Sequence, residues 1–301
     1  MIETAPLATE LHPPYLDVSS TIDGLVTSKE FTKYRDEGMS VEPALTKSAH
    51  ALEHSLSTDE GSGNPEQRKL AHLYGVIAEL PEFTHGIEGL RHHHQVELLD
   101  KRTVEASKLR LVLFNHKIQE LLRDDPTIEY DELVEFLSTM HGVLNSTRWG
   151  EDHDGWHQEA SWFHGQIEKT IHGMLQEIYG DQIASAIPGV TVEQPTDPRD
   201  DLRGIDRWVT MDGVRFPVDF KASYATARHA REKSSHPESI VYTGVEGPRF
   251  RKVLRLDTQD IALRTEQLHR HLEQAKVAYQ NRQRQRMGYA ATLSESAEVS
   301  R

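Results

Sequence analysis

Cysteine is absent from the 301 residues, which excludes disulfides, thiolate metal sites and a cysteine nucleophile. No stretch approaches the roughly 18 uninterrupted apolar residues that would span a bilayer. The start, Met1-Ile2-Glu3-Thr4, has neither the basic opening nor the apolar run of a secretory signal. These absences predict no membrane partner and a cytoplasmic location. Aromatic residues are scarce, 7% of the chain, which argues against a sugar-binding cleft and so against a two-carboxylate glycoside hydrolase. Positive charge is in deficit as well: 34 Lys and Arg face 48 Asp and Glu, a net charge of −14. Phosphate binding draws on clustered Lys and Arg, so the average has the wrong sign for a protein that handles nucleic acid.

The average conceals a division. Residues 1–198 hold 15 basic and 34 acidic side chains, net −19, whereas 199–286 hold 18 and 12, net +6, and 287–301 add −1. Two regions with different partners are expected, the acidic one suited to a protein partner or simply to solvation of helical surfaces.

Periodicity divides the chain the same way. Residues 1–20, with Pro6, Pro13 and Pro14, predict a disordered or extended lead-in, and 21–150 a helical domain. Within it, Leu109, Val112, Leu113, Ile118 and Leu121 recur at helical spacing over Ser107 to Leu122, and a second helix is predicted from Tyr130 to Leu144. In 151–286 an α/β domain is expected. A helix from Trp156 carries an apolar stripe of Phe163, Ile167, Ile171, Met174 and Ile178, and Gly180 is expected to end it. Ile187 to Val192 reads as a short strand. Two longer strands, Gly204 to Thr210 and Val214 to Lys221, are joined through Met211-Asp212-Gly213, where Asp-Gly suits the positive φ of a tight hairpin. A basic connection, Arg228 to Lys233, leads to a third strand, Ser239 to Val245, and Thr258 to about Arg284 reads as a helix. Residues 287–301 are expected to be a disordered tail.

Strand alternation selects a candidate site. Asp219 and Lys221 share one face of their strand while Val218 and Phe220 take the other. Asp206 opens the neighbouring strand. Two carboxylates on paired strands suit a hard divalent cation bound by oxygen, and an ammonium beside them suits phosphodiester hydrolysis. It can orient or help deprotonate a water and offset charge developing on the phosphate.

Asp206, a hairpin, then Asp219-Phe220-Lys221 resembles the PD-(D/E)xK nuclease superfamily, which includes restriction endonucleases, Holliday-junction resolvases and repair exonucleases. The resemblance covers about 90 residues, from Trp156 to Val245, and departs from the pattern where Ile205 stands in place of proline before the first acid. It implies a restriction-endonuclease-like mixed sheet flanked by helices and an endonuclease-type, metal-dependent hydrolase acting on nucleic acid, DNA first. It also implies Mg2+ or Mn2+ held by Asp206, Asp219 and the Phe220 carbonyl, with Lys221 as the catalytic lysine. Many members place a glutamate on the helix before the sheet, a position matched by Glu168, which shares a stripe with His164 and His172. Ser223 matches a small hydroxyl residue often found after the lysine. At the rim, His164, Arg228, Arg231 and Lys233 are candidate phosphate contacts, as are Arg249, Arg251, Lys252 and Arg255. The alternative is a nuclease-fold protein without activity that serves as a binding or assembly module. The histidines number 18, but His92-His93-His94 point in different directions on a helix and His153, His157 and His164 lack a nearby fourth ligand, so neither makes a convincing metal set.

Overall fold

The structure is a computed structural model that describes residues 16–58, 64–96, 101–125, 128–145, 153–197, 205–221, 223–234, 237–243 and 258–299, with Asp200. It is a mixed α/β protein in which an all-helical N-terminal region precedes a small four-stranded mixed sheet. The helical region contains α1 (Val18–Val26), α2 (Lys29–Asp36), α3 (Val41–Thr58), α4 (Pro65–Val96), α5 (Lys101–Asp124) and α6 (Tyr130–Leu144). After it come α7 (His153–Ser185), β1 (Val190–Glu193), β2 (Arg207–Met211), β3 (Val214–Lys221), α8 (Tyr224–Lys233), a 3-10 turn (Pro237–Ser239), β4 (Ile240–Tyr242) and α9 (Thr258–Val299). Among the described residues no helix is long and apolar enough to cross a membrane.

Contacts divide the chain into two compact units that alternate along the sequence: Met1–Pro81 with Asp131–Ile167, and Glu82–Tyr130 with Glu168–Arg301. In the first unit Leu25, Leu45, Leu73, Ile77, Leu80, Leu137, Met140 and Phe163 are buried. Asp17 caps α1 by accepting from Ser20 N at 2.7 Å, and Ser28 caps α2 by accepting from Phe31 N at 3.1 Å. The second unit holds the sheet. Phe83 stacks on Phe114 with ring centroids 4.2 Å apart, and Ile171, Met174 and Ile178 of α7 are buried with Val209, Met211, Phe216, Val218 and Phe220 of the hairpin.

The strands lie in the order β1-β2-β3-β4, the first three antiparallel and β4 parallel to β3. A two-residue turn suffices for β2 and β3: Asp212 and Gly213 both take positive φ, 51° and 74°, as the sequence requires. A parallel partner needs a crossover, which α8 supplies.

Four expectations change. Gly180 does not end α7, which continues to Ser185; a Cβ there would sit 2.7 Å from the Phe220 ring, so the glycine admits the sheet and does not break the helix. The run from Arg228 to Lys233 is helix, started by a capping box in which Ser223 and Thr226 satisfy each other's backbone N–H groups. And α9 runs to Val299, through the residues expected as a tail, where Ala290, Ala291, Glu295, Ala297 and Glu298 favour helix. The third expected strand is shorter, ending at Tyr242.

Candidate functional site

The site belongs to the second unit, where the start of β2 meets the end of β3. The Asp206 N–H donates to Val218 O at 3.0 Å, one residue out of step with the Arg207-to-Val218 register that governs the rest of the hairpin. Its side chain turns back onto β3, and Oδ2 accepts from Phe220 N at 3.1 Å. Asp219, buried in the middle of the sheet, meets Lys221 from its own strand: Lys221 Nζ pairs with Asp219 Oδ1 and lies 4.0 Å from Asp206 Oδ2. The three groups identified from strand alternation thus converge on one amine.

Their electrostatics are those of an acid pair short of positive charge. Burial, the neighbouring Asp206 charge and a hydrogen bond with Asp206 push the Asp219 carboxyl well above the usual range, against the pull of Lys221. Burial alone would lower the Lys221 ammonium, but Asp206, Asp219 and Glu177 outweigh it and raise it. Lysine at this position is therefore a firmly held cation and a hydrogen-bond donor. Although Asp219 Oδ1 is in ion-pair contact with that amine, it receives no well-directed hydrogen bond.

On α7 the residue that faces this group is Glu177, not Glu168. Nine residues separate them, which at 100° per residue is half a turn beyond two full ones, so they occupy opposite sides of the helix. Glu168 is exposed, and its backbone carbonyl accepts from the Tyr130 hydroxyl at 3.1 Å. Burial, with Asp206 next in importance, pushes the Glu177 carboxyl up to about 8. Its Oε2 accepts from Gln119 Nε2 at 2.7 Å and from Arg207 Nη1 at 3.4 Å.

Arg207 is the hub that the sequence reading missed. It is 1% exposed. Its Nε donates to both Asp181 oxygens at 2.7 and 2.9 Å, Nη2 donates to Gln119 Oε1 at 3.0 Å, and Nη1 also donates to the carbonyl of Asp206. Asp181 stands one turn beyond Glu177 on the same face, and Arg123 adds a second pair to it at 2.9 Å. The signal was available: Arg207 falls on the apolar face of its strand with Val209 and Met211, and an arginine there requires acidic partners.

The remaining candidates lie elsewhere or have other work. His164 belongs to the first unit, where Nδ1 and Ser138 Oγ are 3.0 Å apart. Ser223 is occupied as the α8 N-cap. Arg228 faces Glu232 at 3.8 Å, and Arg231 Nη2 donates to Ile240 O at 2.9 Å. The Lys233 side chain and residues 249, 251, 252 and 255 lie outside the described ones, as do the side chains of His93, His94, His153 and His157.

Among the described residues no three His, Asp or Glu side chains form a metal-ligating group. What is present is the pair Asp206 and Asp219, the latter adjoining the Phe220 carbonyl in sequence: an all-oxygen set with a buried Asp219 oxygen lacking a directed donor, beside which burial and the Asp206 charge raise both Asp219 and Glu177. That donor chemistry fits a hard cation such as Mg2+ or Mn2+, whose charge would relieve what Lys221 and Arg207 only partly offset. Comparison with family models, with curated protein sequences and with solved structures finds no match to the chain.

Proposed function

We propose that the protein is a divalent-cation-dependent nuclease of the PD-(D/E)xK type, hydrolysing phosphodiester bonds of nucleic acid, DNA in the first instance. The observation that carries the proposal is the meeting of Asp206, Asp219 and the Lys221 ammonium at the end of one hairpin. The resemblance also implied a mixed sheet between helices and a glutamate on the helix before it, and Glu177 suits that position as Glu168 does not.

Asp206, Asp219 and the Phe220 carbonyl would hold the cation, which when bound supplies Lewis-acid charge to the phosphate. The chain's own groups supply the rest. Lys221, kept protonated, donates to a phosphate oxygen or orients the attacking water and offsets the charge that develops in the transition state. Arg207 holds the Asp206 carbonyl and so fixes the first acid. Glu177 is a proton acceptor matched to mildly alkaline pH, through its carboxyl or a water beside it.

The test is cleavage of labelled DNA and RNA, single- and double-stranded, with Mg2+ or Mn2+. Asp219→Ala and Lys221→Ala are expected to abolish cutting while circular dichroism shows a folded chain. Cutting that persists in both proteins would refute the assignment. A second reading, an inactive binding or assembly module, is favoured by the ion pair that Lys221 already makes with the acids. It predicts retention of nucleic acid or a protein with no metal-dependent cleavage.

A further inference from the structure

Beside Lys221 the sheet carries an aromatic cluster that the hydrolytic group does not use. Tyr242 is the residue paired with Lys221 in the parallel β3-β4 ladder, so its side chain leaves the sheet on the same face, one strand spacing of about 4.8 Å away. The Tyr224 ring meets the Tyr242 ring edge-on, with centroids 6.5 Å apart and planes at 88°. On another side of Tyr242 lies His271 of α9, with ring centroids 6.0 Å apart and its Nδ1 2.9 Å from the Tyr242 carbonyl oxygen. Tyr224 is 64% exposed, the one aromatic among the large hydrophobic side chains exposed in the described residues. It occupies the first turn of α8, three residues past Lys221, and Arg228 stands one turn further along the same face, 73% exposed.

We propose that Tyr224, backed by Tyr242 and His271, is a stacking platform for a base of an unpaired nucleic-acid strand, which makes single-stranded or frayed ends the preferred substrate. This rests on the nuclease reading of the neighbouring acids. The chemistry is specific to an unpaired base: an exposed phenol packed at right angles to a second ring offers π-surface to stack on, whereas a base inside a duplex is already stacked on both faces. Position adds to it. Tyr224 follows Lys221 by three residues and precedes Arg228 by one helical turn, so a base seated on it would bring its sugar-phosphate towards those two cations. Rigidity comes from Tyr242, which β4 holds and His271 supports.

Binding is measured by fluorescence anisotropy at low salt in EDTA, so that no strand is cut. The probes are an oligothymidylate, an abasic strand of equal length and charge, and a duplex. Wild type is expected to bind the oligothymidylate roughly tenfold more tightly than the abasic strand, the size of one stacking contact. Tyr224→Ala should abolish that difference and leave abasic and duplex binding unchanged, while Tyr224→Phe keeps it. Equal affinity of wild type for the base-bearing and abasic strands, no binding of any strand, or an equal loss on both strands in Tyr224→Ala would overturn the platform. The nuclease reading is judged separately with Mg2+. A Tyr224-dependent preference without cleavage sinks the hydrolase and keeps the platform, whereas cleavage indifferent to Tyr224→Ala does the reverse.

Discussion

Glu177 and Asp219 have their protonation shifted by burial and then by the Asp206 charge, and two consequences can be measured. Glu177 is raised to about 8 in the folded chain, above the value of 4.5 for an unhindered carboxyl. The folded state therefore binds the extra proton. Its contribution to stability is fully present below about pH 4.5 and is lost as the pH climbs towards 8 and past it. Urea melts of the metal-free protein should show stability falling across that window, with a smaller fall in Glu177→Gln; a flat profile shared by both proteins would contradict the electrostatic account. Lys221 is the converse. Removing its amine leaves Asp219 without its cation, so Lys221→Ala should lose about 1–3 kcal/mol at alkaline pH and progressively less as acid protonates the raised Asp219 carboxyl. Mg2+ should restore part of that loss if the acids bind it, and the restoration should strengthen with rising pH as protons are displaced.

Elements show how far the sequence could be read. The hairpin was legible because its instructions are local: Asp212-Gly213 sets the turn and alternation sets the faces. The site's three central residues followed from it. Other features depended on distant partners. Gly180 resembles a helix stop until the Phe220 ring, forty residues later, occupies the space a side chain would need. Helical periodicity locates a face of α7 but not which of its turns meets the sheet, so Glu168 was selected where Glu177 stands. The segment containing α8 looked like a charged connection because only Ala227 of its ten residues is fully buried among those described, and its start rests on a Ser-x-x-Thr box, not the more recognisable Ser-x-x-Glu. The Gly180 contact gives a test at this scale. Alanine improves intrinsic helix propensity by about 1 kcal/mol, yet Gly180→Ala should destabilise by about 1–3 kcal/mol because the ring must move. In a Phe220→Leu background much of that cost should vanish, and a purely additive double-mutant cycle would show that the two residues do not meet.

For the whole molecule, the proposed nuclease function raises the question of how a chain of net charge −14 would approach a polyanion. Among the described residues of 199–286, most of the positive side chains are committed internally. Arg207, Arg215, Lys221, Lys276, Arg270 and Arg282 each stand against a carboxylate, and Arg231 donates to a backbone carbonyl. Among the described residues few cations are then left to neutralise phosphate, and the net negative charge opposes encounter at long range. A protein that held its strand by electrostatics alone would bind weakly and lose affinity steeply with salt. One that holds it by stacking on Tyr224 and by ions at the acid pair should instead show a shallow dependence. With two or three phosphates contacted, the slope of log affinity against log salt on a single strand should be about −1.5 to −2. Anisotropy titrations over a range of potassium chloride concentrations measure it directly. A slope several times steeper would mean that an extensive basic surface carries the strand, and that the acid-rich character of the chain has no bearing on how it engages nucleic acid.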